Sequence, residues 1–372
     1  LLLGAGLVGC ALTASAVALA QPVRLDTGRI AAPAVIVVPV THSTAPPLST
    51  ASTTPAAPAT PGGAPGTTDA APTLTTPNAT PSTTPGVAAA VAAMVAANDP
   101  VLAQSALIQD VPANLRPTLA AAAADKPSIY HDGCMLSDGH TTPPACTYGD
   151  PTSATNVVLF GDSHAAQWFP AMKQIAEVHH WRLEVLTKSG CPTADIRIKR
   201  RNLDAECVRW RAAVAQRLAT ERPSLIIMSS SRYDPGGSAA GLDPQVALRA
   251  GLEATLQALR PTAQRFLMLG DTPTPLTYTP TCVAAHLRSV QHCMASRSQA
   301  VDPPQMAVEQ DLARLHDAAF AGTSDWLCTQ TSCPVILGDV LVYRDDSHLT
   351  TTASLLFAPY LEATVVPLLA GR

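Results

Sequence analysis

A tract rich in proline and threonine occupies residues 41–90 and limits what this chain can fold into. It contains 10 Pro, 14 Thr, a single charged residue, Asp69, and no aromatic residue. Such a composition buries too little apolar surface to offset the entropy lost on folding, so it predicts an extended, disordered linker. All 15 aromatic residues lie at Tyr130 or later. The sequence therefore predicts a folded core between about residue 130 and the C-terminus.

The first twenty residues form an apolar stretch without a charged side chain. A stretch of this length predicts a membrane-spanning helix. Its Ala-Leu-Ala ending at residues 18–20 also fits a signal-peptide cleavage site, but no basic region precedes the stretch, so a clipped signal peptide is the alternative. Because the chain opens on Leu1 without an initiator Met, we expect a fragment whose upstream part is missing. Both alternatives predict that the remainder lies outside the cytoplasm.

Four regions follow from these features. We expect a transmembrane helix at residues 1–20, a disordered linker rich in Pro, Thr and Ala at 21–90, a helical extension at 91–129 and a folded domain at 130–372. The extension is predicted from an alanine-rich pattern with Val, Met and Leu, which favours one or two short helices packed on the main domain.

The balance of charge argues against a nucleic-acid partner. There are 24 basic and 28 acidic side chains, and the net charge of −4 gives no general attraction to phosphate backbones. The sequence offers no local basic patch beyond residues 199–201.

Eight of the nine cysteines fall into four local pairs, with Cys10 left in the apolar stretch. In an exported chain, proximity favours disulfides between these partners. The predicted disulfides are Cys134–Cys146, Cys191–Cys207, Cys282–Cys293 and Cys328–Cys333. Metal binding is the alternative, since His140 lies near the first pair and His286 and His292 near the third. No CxxC doublet with zinc spacing occurs, so we expect no metal.

Short apolar runs alternate with helix-length segments through the folded region. The predicted strands are residues 156–160, 183–187, 225–229, 266–270 and, less clearly, 334–338. The predicted helices are residues 165–180, 204–220, 244–259, 305–320 and 352–369. Alternation of this kind predicts a three-layer α/β/α domain with a mainly parallel sheet covered on both faces. Ligands of such sheets bind beyond the carboxyl ends of the strands.

Two short motifs could carry chemistry. Gly161-Asp162-Ser163 follows the first of these strands and precedes a helix, so Ser163 would be exposed at a sharp turn. Near the C-terminus, Asp345 and His348 are spaced so that the carboxylate could orient the imidazole while His348 takes a proton from Ser163. Alone, Gly-Asp-Ser is a common turn, and the second motif could be a solvated loop in which an Asp caps the following helix. Their joint occurrence at the start and end of one α/β domain favours catalysis.

These motifs resemble the SGNH hydrolase superfamily, whose fold is flavodoxin-like. The sequence is more closely similar to the SGNH-like domain fused behind the membrane acyltransferase-3 domain of bacterial envelope O-acyltransferases, actinobacterial type. The resemblance covers roughly residues 90–370, and its most specific part is Gly161–Trp168. The other matching segments are Pro112–Pro117, Gly133–Cys134, Cys146–Asp150, Val158–Phe160, Thr187–Pro192, Cys207–Trp210 and Tyr343–Leu349.

The resemblance implies a role for each motif residue. Ser163 would be the nucleophile, His348 the general base and Asp345 its orienting partner. The backbone N–H groups of Ser163 and Gly190 would form the oxyanion hole. The superfamily's third donor, an Asn, has no match in the window 229–234, so Ser230 or Arg232 could replace it.

Three further residues could contact a substrate. His164 and Trp168 could line an acceptor-sugar site, although Trp168 could equally be a core residue. Lys188 could reach the rim of the active site or be solvated.

The function implied by the resemblance is transfer of an acyl group, expected to be acetyl, to hydroxyls of a cell-envelope polysaccharide or glycolipid. A membrane acyltransferase domain would deliver the donor, residues 1–20 would be its last membrane helix, and the SGNH-like domain would be extracytoplasmic at the cell membrane. No cofactor is expected in this domain. The alternatives are a tethered or secreted carbohydrate acetylesterase and a catalytically degenerate glycan-binding domain.

Overall fold

The computed structural model describes residues 85–199, 201–232 and 241–370. The predicted transmembrane helix and most of the predicted linker lie outside these residues. The first described helix begins at Pro85, inside the tract predicted to be an extended linker. Within the described ranges, no helix combines the length and the apolar character needed to cross a membrane.

Eleven strands are described. They are β1 (Met135–Leu136), β2 (Thr147–Gly149), β3 (Asn156–Gly161), β4 (Arg182–Lys188), β5 (Leu225–Ser229), β6 (Arg265–Leu269), β7 (Ala295–Ser296), β8 (Ala319–Ala321), β9 (Ser332–Cys333), β10 (Ile336–Leu337) and β11 (Val340–Leu341).

The main sheet has seven strands in the order β1-β4-β3-β5-β6-β8, with β2 pairing antiparallel to β4 and the other pairs parallel. The prediction of a mainly parallel sheet is confirmed. Strands β3, β4, β5, β6 and β8 have the spatial order 2-1-3-4-5 of flavodoxin-like sheets. The strand order therefore reverses beside β3, which is where a ligand site is expected.

Helices cover both faces of this sheet. They are α1 (Pro85–Ser105), α2 (Ser163–Ala166), α3 (Phe169–Val178), α4 (Arg201–Glu221), α5 (Pro244–Leu259), α6 (Thr279–Ala285), α7 (Arg297–Ala300), α8 (Pro303–Leu315), α9 (Ser324–Leu327), α10 (Thr351–Leu356) and α11 (Ala358–Ala370). Between α1 and β1 the chain forms two single 3₁₀ turns, Ala122–Ala124 and Ser128–Tyr130.

Strand β3 shows why the domain has three layers. Every residue of β3 is buried. Val157 and Leu159 belong to a core with α1, α3 and α11, whereas Val158 and Phe160 belong to a second core with α4, α5 and α8. Because successive side chains of a strand point to opposite faces, a continuous apolar run is buried only when both faces are covered.

Two predicted elements differ from the structure. The helix expected at residues 305–320 ends at Leu315, and the chain turns through Asp317, which has a φ of 50°, into edge strand β8. The strand expected at 334–338 is the short β10, which pairs with β11 outside the main sheet. Because the helix ends before this turn, Ala319–Ala321 can adopt an extended conformation and pair with β6.

All four predicted disulfides are formed. Cys191–Cys207 joins the turn after β4 to α4. Nδ1 of His286 lies 2.9 Å from the carbonyl oxygen of Cys282. The sulfurs of Cys282 and Cys293 beside it are bonded to each other, so they are not thiolates available to a metal.

Candidate active site

Ser163 is the first residue of α2, directly beyond the carboxyl end of β3. The turn between them is fixed by Asp162, whose Oδ1 accepts from the His164 N–H at 2.7 Å and whose Oδ2 accepts from the Ser231 N–H at 2.9 Å. Gly161 is needed here because a Cβ at this position would lie 1.8 Å from the carbonyl oxygen of Ser229. The sharp turn thus presents Ser163 at the point where the strand order reverses.

His348 and Asp345 form a tight pair in the loop before α10. Nδ1 of His348 lies 3.0 and 2.9 Å from the two carboxylate oxygens of Asp345. The N–H groups of Ser347 and His348 also donate to Asp345, at 2.9 and 2.7 Å. Burial alone would raise the pKa of Asp345, but the hydrogen bonds and charge of His348 lower it to about 2. The carboxylate is therefore ionised and fixes the imidazole so that Nδ1 faces it.

The other nitrogen of this imidazole is left open. Nε2 of His348 is buried and makes no hydrogen bond with any described residue. Arg344 supports the same loop: its guanidinium is buried, donates to the Leu349 carbonyl at 3.2 Å and lies 3.5 Å from Asp345 Oδ2.

The two motifs meet although more than 180 residues separate them. The Leu349 N–H donates to Oε1 of Gln167 at 2.8 Å, across a sequence separation of 182 residues. The rings of His164 and His348 lie 4.9 Å apart between centroids, with an interplanar angle of 54°. The loop of His348 is therefore held against the helix that begins with Ser163. The catalytic use of Ser163, His348 and Asp345 stays a prediction.

The predicted oxyanion donors flank the same helix. Gly161 is in register with Thr187 of β4, so the turn that contains Gly190 leaves the sheet beside Ser163. Gly190 has a φ of 69°, a left-handed conformation that glycine adopts without strain. Among the described residues, none accepts a hydrogen bond from the N–H of Ser163 or of Gly190. Both donors are thus available to a ligand.

Lys188 neither lines the rim of the site nor is solvated, in contrast to both sequence interpretations. Its side chain is fully buried, and Nζ donates to the Ser137 carbonyl at 2.7 Å and to Glu206 Oε2 at 3.0 Å. Glu206 also accepts from the Gly139 N–H at 2.9 Å. A buried cation persists only when it is paired, so Lys188 anchors the end of β4 rather than a substrate.

The two predicted replacements for the missing Asn differ in their surroundings. The Ser230 hydroxyl accepts from the Thr193 N–H at 2.8 Å and donates to Thr193 Oγ1 at 3.1 Å, so its proton is engaged in this structure, which argues against the predicted donor role. The Arg232 side chain is 44% exposed and lies 3.6 Å from Asp302 Oδ2. It remains a candidate for substrate contact.

Trp168 and His164 are not surface residues. Trp168 is fully buried and packs edge-on against Trp326 and Phe357, at centroid distances of 5.8 and 6.4 Å. Its predicted sugar-binding role is therefore wrong, and the core interpretation holds. His164 is also buried, and its Nδ1 lies 2.5 Å from Asp271 Oδ1, so it does not form an open sugar-binding surface.

The sequence interpretation missed Asp271 and Gln167. Asp271 comes two residues after β6, and that position at the carboxyl end of a parallel strand is the signal that could have identified it. Gln167 gave no comparable signal, because its importance depends on the distant Leu349.

These components match the chemistry of covalent acyl transfer. A serine at a strand-to-helix turn, an imidazole oriented by a carboxylate and two unengaged N–H groups are the parts of a nucleophile, a base and an oxyanion site.

A family described as "SGNH domain (fused to AT3 domains)" matches residues 130–363. The sequence has no significant match among curated proteins.

Several solved structures are similar to this one. The periplasmic domain of a lipopolysaccharide acetyltransferase from Salmonella ser. Paratyphi A has a TM-score of 0.45 and 14% identity, over 74% of this chain and 97% of that one. TesA has a TM-score of 0.34 and 15% identity, over 57% and 99% of the two chains. The acetylxylan esterase Axe2 from Geobacillus stearothermophilus has a TM-score of 0.33 and 14% identity, over 59% and 98%.

Proposed function

Because this chain belongs to the family of SGNH domains that occur fused to AT3 domains, we propose that it transfers a small acyl group, in the first instance acetyl, to sugar hydroxyls. The acceptor is a cell-envelope polysaccharide or glycolipid, and the transfer proceeds through an ester on Ser163. The domain acts outside the cytoplasm, attached to a membrane domain that supplies the acyl donor.

One observation carries this proposal. His348 is fixed by Asp345 through Nδ1, while its buried Nε2 has no partner among the described residues. An imidazole in this state is ready to accept a proton at Nε2. The contact between Gln167 and Leu349 holds it against the helix that starts with Ser163.

The first half-reaction forms the acyl-enzyme. Ser163 Oγ attacks the carbonyl carbon of the donor ester as its proton moves to His348 Nε2, and the carbonyl oxygen becomes an oxyanion that faces the N–H groups of Ser163 and Gly190. The ionised Asp345 stabilises the imidazolium. The intermediate then collapses: the bond to the leaving alcohol breaks, His348 returns the proton to that alcohol, and the acyl group stays on Ser163.

The second half-reaction releases the acyl group. A sugar hydroxyl gives its proton to His348 Nε2 and attacks the acyl-serine, forming a new ester and expelling Ser163 Oγ, which regains the proton. Water in place of the sugar would give hydrolysis, so the two outcomes differ only in the acceptor that reaches the acyl-enzyme.

Covalent labelling of the full chain tests the nucleophile. A fluorophosphonate should label the wild type and Ser298→Ala, which removes an exposed serine, but not Ser163→Ala. Equal labelling of Ser163→Ala would overturn the proposed mechanism, and binding of oligosaccharides without any labelling would favour the degenerate binding domain.

Product analysis then separates transfer from hydrolysis. With p-nitrophenyl acetate as donor and a panel of fluorescently labelled oligosaccharides, mass spectrometry should detect sugars that have gained an acetyl group. Release of acetate alone, with no acetylated sugar at any acceptor concentration, would favour the esterase instead.

A further inference from the structure

A second histidine–carboxylate pair lies beside the first. Nδ1 of His164 lies 2.5 Å from Asp271 Oδ1, and the two side chains are only 5% and 14% exposed. His164 Nε2 makes no hydrogen bond with a described residue. Each imidazole of the site therefore has its Nδ1 against a carboxylate and its Nε2 unengaged, and the two rings are 4.9 Å apart.

Asp271 is held in place independently of His164. Its Oδ1 accepts from the Thr272 N–H at 2.7 Å, and its Oδ2 accepts from the Arg232 N–H at 3.2 Å. Its carbonyl oxygen accepts from Thr323 Oγ1 at 2.7 Å. A carboxylate with these partners is a preorganised support for the imidazole.

The pair of His164 and Asp271 lies across the carboxyl end of β5, where the superfamily's Asn has no match in this sequence. His164 follows β3 and Asp271 follows β6, and β5 lies between these strands in the sheet. Contact between them therefore crosses the carboxyl end of β5, from which the window with Ser230 and Arg232 departs. The Ser230 hydroxyl is engaged with Thr193 in this window, whereas the His164 imidazole lies beside His348.

The charge on His164 follows from its neighbours. Burial would lower its pKa, but Asp271, with smaller contributions from Asp162 and Asp345, raises the pKa to about 9. The other ionisable groups around the pair include His348, Arg232 and Glu309. Tyr343 is buried and interacts electrostatically with Asp271, and because burial raises its pKa it stays neutral. Burial raises the pKa of Glu309 to about 8, so at neutral pH it is mostly uncharged and adds no negative charge beside Asp271.

We infer that His164, held by Asp271, is the cationic hydrogen-bond donor that stabilises the oxyanion in place of the missing Asn. The inference rests on the proposed acyl-enzyme function. His164 keeps its proton throughout, whereas the proton of Ser163 moves to His348 and back. The imidazolium formed on His348 is balanced by Asp345, and that of His164 by Asp271, so the two cations coexist in the intermediate.

Three variants of the full chain test this role by hydrolysis of p-nitrophenyl acetate, with the uncatalysed rate subtracted. His164→Leu removes the donor and should lower kcat/KM by about 10² to 10³-fold. His164→Gln supplies a neutral amide donor and should lose less. Asp271→Asn keeps the imidazole but removes the charge that keeps it protonated.

The pH profile separates this role from a purely structural one. Wild-type kcat/KM should fall as pH rises through about 9, where His164 loses its proton. In Asp271→Asn this basic limb should move to lower pH by more than about one unit, because burial then favours the neutral imidazole. In His164→Gln the limb should disappear. If His164 had only a structural role, the substitutions would lower the melting temperature but would not change the pH at which kcat/KM falls.

The matched control is His179→Gln, since Nε2 of His179 also lies against a carboxylate, 2.6 Å from Glu362 Oε1, at the C-terminal end of α3. It should leave rate and pH profile unchanged.

The inference would be overturned if His164→Gln and Asp271→Asn both kept the wild-type kcat/KM and the wild-type fall in kcat/KM near pH 9. That result would be decisive even if His164→Leu failed to fold. If Ser163→Ala loses fluorophosphonate labelling while these variants behave as wild type, only this inference fails. If Ser163→Ala is labelled normally, the proposed function fails first.

Discussion

The Leu349 N–H donates a 2.8 Å hydrogen bond to the side-chain oxygen of Gln167. Leu349 follows the candidate base His348, and Gln167 lies one helical turn after the candidate nucleophile Ser163. The Gln167 side chain is buried, and its Nε2 donates to Thr272 Oγ1 at 3.2 Å. One amide thus sets the position of the base loop relative to the nucleophile helix.

Gln167→Leu should therefore lower kcat far more than it changes KM. The substitution keeps the bulk but releases the Leu349 N–H, and a displacement of about 1 Å in a catalytic group can reduce the rate about 10²-fold. Steady-state hydrolysis of p-nitrophenyl acetate measures both constants. Thr272→Val, which removes the acceptor of Gln167 Nε2 and leaves the bond between Gln167 and Leu349 intact, should be closer to wild type. A Gln167→Leu variant with wild-type kcat would show that the base loop is positioned by other contacts.

Ser230→Ala should affect stability rather than catalysis. The Ser230 hydroxyl bonds both the N–H and the hydroxyl of Thr193, so its removal leaves a buried N–H without an acceptor. Such a loss costs about 1 to 3 kcal/mol in the free energy of unfolding. Chemical denaturation should detect this cost, while kcat stays within about twofold of wild type. A fall in kcat of about 10²-fold without loss of stability would instead restore Ser230 as an oxyanion donor.

Sequence patterns identified the elements whose signals are local. The apolar runs that became β3, β4, β5 and β6 were placed to within about a residue of their ends, since a strand buried on both faces is continuously apolar. Proximity predicts the cysteine partners that the structure shows. Two short motifs predict Ser163, Asp345 and His348 as catalytic residues, and that role stays a prediction.

Features that depend on tertiary contacts could not be predicted from the sequence. The helix predicted for residues 305–320 includes the first two residues of β8, because an edge strand this short has no periodicity of its own. Lys188 was interpreted as a solvent-facing cation, since its partner Glu206 lies on another element. The contact between His164 and Asp271 joins residues 107 apart, and only the strand order brings them together.

Loss of the Cys191–Cys207 disulfide should lower both stability and activity. Its sulfurs join positions separated by 16 residues, for which the loss of chain constraint corresponds to about 3 kcal/mol. Because Cys191 follows Gly190, Cys191→Ala with Cys207→Ala also frees the turn that carries the proposed oxyanion donor. We expect a lower midpoint of denaturation and a reduced kcat.

Cys328→Ala with Cys333→Ala is the matched control, since that disulfide closes a separation of 5 residues away from Gly190. It should cost about 2 kcal/mol and leave kcat unchanged. Equal losses of kcat in the two double variants would show that disulfides affect activity through overall stability alone.

Glu309 should make the stability of the domain depend on pH in an unusual direction. This carboxyl is buried on α8; its Oε1 accepts from Gln305 Nε2 at 2.9 Å, and its Oε2 has no partner among the described residues. Burial raises its pKa to about 8, with Asp271 and Asp302 adding to the effect. Because the folded state holds this proton more tightly than the unfolded state, the stabilisation is complete below about pH 4.5 and is lost as pH rises through about 8.

Glu309→Gln removes this dependence, because the amide stays neutral and still accepts from Gln305. The variant should match wild type near pH 4.5 and exceed its free energy of unfolding at pH 8 by on the order of 2 to 4 kcal/mol. Chemical denaturation across this range measures the difference, with Glu177→Gln as the control, since that side chain is 52% exposed and pairs only with Lys173 on its own helix. The control should follow the wild-type curve at every pH. If Glu309→Gln also runs parallel to wild type from pH 4.5 to 8, Glu309 does not gain a proton on folding, and burial does not raise its pKa.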